Sequence, residues 1–338
     1  MPGVGVHYWN DARGKPGGVA GLDFGAQIPR NLLVNGGFTV NQRGGVIAGG
    51  SGFVCDRWWA STSSPGFPVQ VIPPSFSSSF SAAFLEFGQA AGGNTAIVRY
   101  AGIESIDAIK LTNQTLTLAV SYNNRVQGVS TLSVKVVMGT GTNQNFTGTG
   151  SYATGNSVLA SMSIDLSTFG IQTTQVLSFN TPSNLSEISL QFDYACVSPG
   201  FVDALFILGV SLAQGNVPIP YNVYSFEMEL AGCQRYYYQS FVTFSAIAGS
   251  VGTVGVTTAG ILGSRFPVAM RTTPSLVLSF NNVANRLRDT TTGLPVTIVT
   301  PNTVSINPFG FSHYFDSGSN PITVGHPYDF DIKADAEL

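Results

Sequence analysis

Charged residues are scarce in this sequence. They make up 10% of its 338 residues, against about 25% in an average soluble protein. The 15 lysines and arginines are scattered singly and the formal net charge is −3, so there is no basic cluster of the kind that binds nucleic acid. So little charge among many Gly, Ser, Thr and Asn residues favours strands with uncharged polar faces over long surface helices.

Cysteine and histidine are equally rare, with three of each. Cys55, Cys196 and Cys233 are odd in number and far apart, which suits neither a disulfide framework nor a zinc site. We expect these cysteines to be small buried side chains. The histidines have no metal-ligand spacing; they are His7, His313 and His326. We therefore expect no metal and no cofactor.

Long apolar runs are also missing. No run approaches the roughly 18 residues that a membrane helix needs, and the longest candidates, such as residues 204–210, have the length of a strand. Residues 1–11 lack the basic and apolar regions of a secretory signal. We therefore expect that the protein does not insert into a membrane. We also expect that it is made in a cytoplasm.

Short alternating segments dominate what is present. Apolar and polar residues alternate with period two, and Gly, Asn, Ser or Pro closes each run, which is the pattern of half-buried strands. The sequence predicts strands at 96–100, 116–122, 132–138, 157–164, 174–179, 187–194 and 206–212. Strands at this spacing with hardly a helical stripe between them predict an all-β antiparallel sandwich.

Two short helices interrupt the β pattern. One is predicted around residues 104–108, because Ile103, Ile106 and Ile109 recur at helical spacing. The other is predicted at 226–237, where glutamates and Leu230 favour a helix.

Alternating prolines mark the boundary between two domains. Pro218 and Pro220 cannot lie in a central strand and are typical of a linker, so we place the boundary near residue 222. Beyond it, further strands are predicted at 241–244, 252–258, 276–280, 296–299 and 328–332. The predicted organisation is an N-terminal segment at 1–30, a β-sandwich at 31–222 and a second β-rich domain at 223–338.

The first 30 residues are rich in glycine and cannot form a core. They nevertheless carry large apolar side chains, which suggests a peptide that becomes ordered on a partner surface. These candidate anchor residues are Val4, Val6, Tyr8, Trp9, Leu22 and Phe24. The alternative is a disordered leader.

Three sequence segments resemble those of the fibre and spike proteins of tailed-bacteriophage virions. The first comprises NLLVNGGF at 31–38, NQRG at 41–44 and DRWW at 56–59; the second is ELAGCQRYY at 229–237. A third, FPVAMRTTP at 266–274, resembles a stretch of fibre tip domains. The resemblance covers residues 31–275, and its second segment is the most specific.

The resemblance implies a jelly-roll sandwich similar to carbohydrate-binding modules, followed by a tip domain. It implies a homotrimer that attaches through its N-terminus to other virion proteins, whether capsid, portal or tail, and that is made in the cytoplasm of the host bacterium. Related sandwiches hold a structural calcium near an acidic pair, but Gly37 and Thr39 occupy those places here, so calcium is not expected.

Catalysis is not expected. The sequence shows no phosphate-binding loop. Its carboxylates are isolated along the chain, which leaves a spatial pair open, but the chain lacks the long repetitive β-helix that phage depolymerases usually have. The carboxylates considered are Glu86, Glu104, Asp107, Asp165, Glu187 and Asp193.

Carbohydrate binding is better supported, because aromatic faces stack on sugar rings and uncharged polar groups bond to hydroxyls. The glycan-binding candidates are Trp58, Trp59, Tyr238, Phe309, Phe311, His313 and Tyr314. One of Trp58 and Trp59 is expected in the core instead. Tyr236, Tyr237 and Tyr238 are consecutive, so at least one should be exposed or lie at a subunit interface.

The sequence therefore predicts a non-enzymatic head or tail fibre or spike that binds a host-surface polysaccharide. The turn-rich stretch at 307–315 is the predicted receptor-contacting tip. A capsid decoration or tail collar protein without a receptor is the main alternative, and its late aromatic residues should be buried against neighbours. A bacterial surface adhesin is a third possibility, weakened by the missing secretory signal.

Overall fold

The fold is all-β, as the alternating sequence pattern predicts. The structure, a computed structural model, describes residues 30–73, 83–88, 94–125, 129–166, 169–198, 204–222, 224–245, 258–281, 283–284, 286–297, 300–316 and 326–337. Side chains at 129, 197–198, 244–245, 258–263, 300–304 and 313–316 are outside this description. The candidate anchor residues Val4, Val6, Tyr8, Trp9, Leu22 and Phe24 also lie outside it, as does most of the predicted strand 252–258.

Two six-stranded antiparallel sheets form a jelly-roll sandwich. Sheet I has the order β1 (Val46–Ile47), β4 (Val69–Ile72), β5 (Phe84–Phe87), β12 (Leu205–Gln214), β7 (Thr115–Asn124) and β10 (Gln172–Asn180). Sheet II has the order β2 (Ser51–Cys55), β3 (Trp58–Thr62), β6 (Thr95–Tyr100), β11 (Glu187–Ser198), β8 (Val129–Gly139) and β9 (Ser157–Ile164).

The inward faces of these two sheets share one apolar core. Alternate residues of each strand point into it, as in Leu116, Leu118 and Val120 of β7. Trp58 lies at the centre of this core and is 0% exposed. Its ring centroid is 5.1 Å from that of Phe38 and 5.2 Å from that of Tyr100. All three cysteines are free and buried, which confirms their prediction as small core residues.

The second β-rich region contains two smaller sheets. Sheet III has the order β16 (Val283–Ala284), β15 (Ser275–Phe280), β21 (Pro327–Asp335), β17 (Arg286–Asp289) and β18 (Pro295–Thr297), and β13 (Tyr237–Ser245) pairs with β21. Sheet IV has the order β14 (Thr258–Arg265), β20 (Gly310–Asp316) and β19 (Thr300–Asn307). The second region has a core of its own, separate from that of the sandwich, which includes Phe266, Leu278, Phe311 and Phe330.

The predicted turn-rich tip at 307–315 is instead mostly a hairpin. Strands β19 and β20 pair with one register shift between Thr303 and Ser305, and Pro308 and Phe309 form the turn between them. A proline and a glycine close together suggested a loop, but Pro308 occupies the turn and Gly310 begins the next strand, where neither interrupts the ladder.

Both predicted helices form, and the second is shorter than the sequence suggested. Helix α1 spans Ser105–Ala108 and continues as a 3-10 turn at Ile109–Leu111, while α2 spans Phe226–Gln234. The hydroxyl of Ser225 accepts a hydrogen bond from the backbone N–H of Met228 and so caps α2. No helix among the described residues is long and apolar enough to cross a membrane.

The apolar stripe that predicted α1 does not face the core. Ile106 and Ile109 are exposed, whereas Ile103 packs on the sandwich core and its backbone pairs with Ile188. The helical spacing therefore predicted the helix but not its buried face. Helix α1 is a single turn, and the contact with the sandwich is made by Ile103, just before its N-terminus.

Replacement of Trp58 by alanine tests its place in the core. We expect Trp58→Ala to lower the free energy of unfolding by about 3–5 kcal/mol, because a large cavity opens in a packed interior. Trp59→Ala, on the half-buried outer face of β3, is the control and should cost less than about 1 kcal/mol. Denaturant unfolding measures both; equal losses would contradict the assignment.

Candidate functional site

A polar row crosses the outer face of sheet II at the level of Trp59. Strand register pairs Trp59 with Arg99, Arg99 with Gln191 and Gln191 with Lys135. Because side chains alternate along a strand, this row points away from the core that holds Trp58. The guanidinium carbon of Arg99 lies 5.0 Å from the centroid of the Trp59 ring. The row thus combines a half-buried indole with charged and amide groups.

Hydrogen bonds fix the side chains of this row. Arg99 Nε donates to Gln191 Oε1 at 3.0 Å, and Gln191 Nε2 donates to Asp193 Oδ1 at 2.7 Å. Lys135 Nζ lies 2.7 Å from Asp193 Oδ2. The resulting surface is held in place before any ligand arrives, so binding would cost little side-chain entropy.

The loop between β8 and β9 borders the row on one side. Arg99 donates to the carbonyl oxygens of Thr147 at 2.7 Å and of Gly148 at 3.1 Å. Phe146 and Tyr152 of this loop are buried against Val137. Burial lowers the pKa of Arg99, although Asp193 partly offsets the shift. We call the surface formed by Trp59, Arg99, Lys135, Gln191 and Asp193 the Trp59 face.

The structure separates the other glycan-binding candidates. Trp58 is enclosed in the sandwich core and its Nε1 donates to the Asn35 carbonyl at 2.9 Å, so its assignment as a sugar platform is wrong. Phe311 is 4% exposed and packs against Phe266, so it too is a core residue. Tyr238 is half-buried, with its ring edge-on to Phe266 at 5.8 Å.

Phe309 is the candidate that the hairpin turn leaves in solvent. Its side chain is 68% exposed. His313 and Tyr314 lie on β20, opposite Ile261 and Gly260 in the register of the sheet, and their side chains are outside the description. Trp59 and Phe309 are on different sheets, so the structure does not unite the candidates in a single site.

The two specific sequence segments meet at a junction rather than at a ligand site. Asn35 is buried, and its side-chain amide donates to the carbonyl oxygens of Val40 and Asp56. Its backbone N–H donates to Glu229 of the second segment. Gln42 Nε2 donates to Asp56 Oδ2 at 2.6 Å and to the Tyr237 carbonyl at 3.0 Å. Sequence reasoning missed this role because the contacts join residues nearly 200 positions apart.

Arg57 is the buried charge of the junction. Its Nη1 lies 2.9 Å from Glu337 Oε2, its Nη2 donates to the Gly102 carbonyl, and its guanidinium carbon is 3.5 Å from the centroid of the Tyr236 ring. Burial alone would lower the pKa of Arg57, but Glu337, Tyr236 and Tyr100 together more than offset this, so the pKa is raised. The charge is therefore retained in the interior.

Arg43 makes a second link beside it. Its guanidinium lies between the rings of Phe53 and Tyr237, 3.9 Å and 4.0 Å from their centroids. The same group bonds Asp335 at 3.0 Å. Residues 335–337 thus bind two arginines of the sandwich.

The three consecutive tyrosines are explained by this junction. Tyr236 and Tyr237 are both buried, Tyr236 over Arg57 and Tyr237 over Arg43. Both can be buried because α2 ends just before them and β13 begins at Tyr237, so that regular alternation does not yet apply. Tyr238 points to the core of sheets III and IV.

Two of the carboxylates considered for catalysis line one small cavity. Glu104 and Glu187 border a space of about 10 Å³ together with Tyr152 and Arg271. Burial raises the pKa of Glu187. For Glu104 the hydrogen bonds from Arg235 and Tyr236, together with the charges of Arg235 and Arg271, outweigh burial and lower the pKa. Such a space holds one water molecule and cannot take a sugar ring.

The remaining carboxylates are spread over the sandwich. Asp107 pairs with Lys110 on the surface, Glu86 accepts from Gln70, and the Asp165 carbonyl accepts from Tyr122. A cavity of about 260 Å³ beside Asp165 and Tyr122 is also lined by Ile171 and Gln175. Tyr122 is almost fully buried, so its ring does not offer a stacking face there.

Metal ligands do not converge in the part of the chain that the structure describes. No three His, Cys, Asp or Glu side chains come together there as a metal ion would need.

Comparisons with known proteins find similarity in shape only. No protein family matches the chain, and no curated protein does. The chain is similar to the carbohydrate-binding module TmCBM61 in complex with β-1,4-galactotriose, at 13% identity and a TM-score of 0.36, over 55% of this chain and 99% of that one. It is also similar to the enzymatically active domain of tailspike protein 4 of bacteriophage CBA120, at 13% identity and a TM-score of 0.35, over 55% of this chain and 21% of that one.

A third similar structure is the CBM22-1 and GH10 modules of Clostridium thermocellum xylanase 10B with xylohexaose. Identity is 12% and the TM-score 0.31, over 49% of this chain and 28% of that one. The matches therefore span about a fifth of the tailspike chain and just over a quarter of the xylanase chain. At this level of similarity they do not bear on ligand or activity.

The buried ion pair of the junction can be tested by Glu337→Gln. We expect the variant to lose about 3–5 kcal/mol of unfolding free energy, because Arg57 would remain buried without its counter-charge. The control is Asp107→Asn, which breaks the exposed pair with Lys110 and should change stability by less than about 1 kcal/mol. Denaturant unfolding measures both; a loss no greater than the control's would contradict this role.

Asp56 gives the junction a pH dependence. Burial raises the pKa of Asp56 from 3.8 to about 6, although Gln42 and Arg43 partly offset the shift. The folded state therefore binds this proton more tightly than the unfolded chain, so the contribution of Asp56 to stability falls as the pH rises from 4 to 6. For this rise in the pKa, the loss of unfolding free energy between pH 4 and pH 6 is about 3 kcal/mol. We expect Asp56→Asn to remove it, because asparagine does not titrate.

The measurement is the free energy of unfolding of Asp56→Asn and the unsubstituted protein across this range. The advantage of the variant should be largest above pH 6 and should shrink towards pH 4. A difference between the two proteins that is constant with pH would contradict the prediction.

Proposed function

We propose that this chain is a non-enzymatic fibre or spike protein of a phage virion, which binds a host-surface glycan through the sandwich. The observation that carries the binding proposal is the Trp59 face. Its half-buried indole offers a stacking surface, and Lys135, Gln191 and Asp193 supply donors and acceptors for sugar hydroxyls, while the buried Arg99 holds Gln191 in place. This combination of a flat ring and a few fixed polar groups is what saccharide recognition needs.

The virion role rests on the resemblance of residues 31–275 to fibre and spike proteins. It is supported by the way the segments that carry the resemblance are used. Asn35, Arg57, Glu229 and Tyr236 connect the sandwich to the second β-rich region, as a shared two-part architecture would require. In this proposal residues 1–30 attach to capsid, portal or tail proteins, and three copies assemble into one fibre.

Assembly in threes would strengthen weak sugar binding. A single shallow face binds a saccharide with modest affinity, but several linked copies raise the overall affinity without new contacts. A fibre on a particle with many copies would therefore bind a repetitive surface polysaccharide firmly.

The Trp59 face can be tested by binding to an array of bacterial capsular and lipopolysaccharide glycans. We expect Trp59→Ala to weaken binding by about tenfold, since an aromatic contact of this kind is worth on the order of 1 kcal/mol. Val176→Ala is the matched control, because Val176 is an exposed apolar residue of sheet I. It should bind as the unsubstituted protein does.

Phe309→Ala distinguishes the hairpin turn from the sandwich as the contact surface. Loss of binding in this variant alone would move the site to the second β-rich region. A folded protein that binds none of the glycans on the array would favour a capsid decoration or tail collar protein.

A further inference from the structure

The outer face of sheet III carries a second ordered array of polar groups around an exposed aromatic ring. The core residues Tyr238, Val242, Leu278 and Ile332 define its inner side, so the alternate residues of the same strands face outward. Register then places them in three rows. The rows are Gln239, Lys333 and Val277; Phe241, Asp331 and Ser279; and Thr243, Asp329 and Arg288.

Phe241 is the prominent member of the middle row. Its side chain is 55% exposed although it lies within a regular strand. Strand β13 pairs only with β21 among the described strands, so the ring stands near the rim of the sheet. A ring in this position presents a flat apolar surface to solvent.

The other end of the middle row holds an unused buried hydroxyl. Ser279 is 3% exposed, and its Oγ has no hydrogen-bond partner among the residues that the structure describes. Ser279 is separated from Phe241 by the single strand that carries Asp331, a distance of about 10 Å, or two strand spacings. Because this hydroxyl is enclosed, the polar contacts that the middle row offers to a ligand come from Asp331.

The carboxylates of this face differ in their surroundings. Asp329 accepts from Thr243 Oγ1 at 2.8 Å and is bonded by Arg288 Nη2 at 2.5 Å. Asp331, in the middle row, makes no such hydrogen bond or ion pair with the described residues and is only half-buried. Its oxygens can therefore accept hydrogen bonds from a ligand placed on the Phe241 ring.

We propose that this face is a second saccharide subsite, which takes a neutral pyranose. The inference rests on the proposed glycan-binding function and assigns it a second location with its own selectivity. The ring of the sugar stacks on Phe241, and its hydroxyls donate to Asp331. The carboxylate of a uronic acid would meet that of Asp331, so acidic sugars are excluded.

A protein partner fits this face less well. The exposed apolar residues Phe241 and Val277 lie in different rows and on opposite sides of β21, so that charged residues of β21 separate them. They do not form the continuous apolar patch that is typical of a protein interface core.

The experiment compares methyl glycosides of neutral hexoses with those of the matching uronic acids, by saturation-transfer NMR titration of the full chain. We expect Phe241→Ala to weaken neutral glycoside binding at this face about tenfold in a Trp59→Ala background, which removes the first site. Val277→Ala, exposed on the same face, is the control and should leave binding within about twofold. Asp331→Asn should allow the uronic acid glycosides to bind.

The outcomes separate this proposal from the one on which it rests. If Trp59→Ala alone abolishes all glycoside binding, the second subsite is overturned while the glycan-binding function stands. If the unsubstituted protein binds neither these glycosides nor any polysaccharide, both are overturned. A change in native mass on Phe241→Ala, with glycoside binding intact, would instead show that the face is an interface between copies of the chain.

Discussion

The buried charge of Arg57 is the constraint around which the two β-rich regions are organised. A guanidinium cannot be neutralised in a protein and is costly to bury without partners. Its partners come from three distant places in the chain, namely Gly102, Tyr236 and Glu337. Arg57 thus gains these partners only when the sandwich, the segment after α2 and the residues that follow β21 are assembled together. Folding of the second region and burial of this charge are therefore coupled.

The same constraint explains why the sequence segments that resemble fibre and spike proteins contain particular polar residues. Asn35, Gln42 and Glu229 bond partners across the junction, and Asp56 accepts from Gln42 and so holds it in place. Buried polar networks of this kind tolerate few substitutions, since each lost partner leaves another group unsatisfied. Their specificity therefore reflects how the chain holds its two parts together, and it carries no information on what the protein binds.

Much of the fold could be predicted from the sequence, because alternation with period two determines both strand and face. The predicted strand 116–122 lies within β7, and alternation also separates Trp58 from Trp59 once one of them is known to be inside. Other features depended on contacts distant in sequence. The burial of Phe311 beside the exposed Phe309 follows from a two-residue turn that the Pro308 and Gly310 pattern concealed. The exposure of Phe241 could not be predicted either, because it depends on which side of β13 faces the core.

A rigid junction also has a consequence for binding. If the sandwich and the second region were joined only by a flexible linker, the proposed sugar faces on sheets II and III would bind almost independently. Because Arg43 and Arg57 tie residues 335–337 to the sandwich, the two faces keep a fixed separation. A glycan whose repeat matches that separation could occupy both without the entropic cost of ordering a linker, and one with another repeat could not. Selectivity for a polysaccharide would then come from the spacing of its repeats as well as from the contacts at each ring.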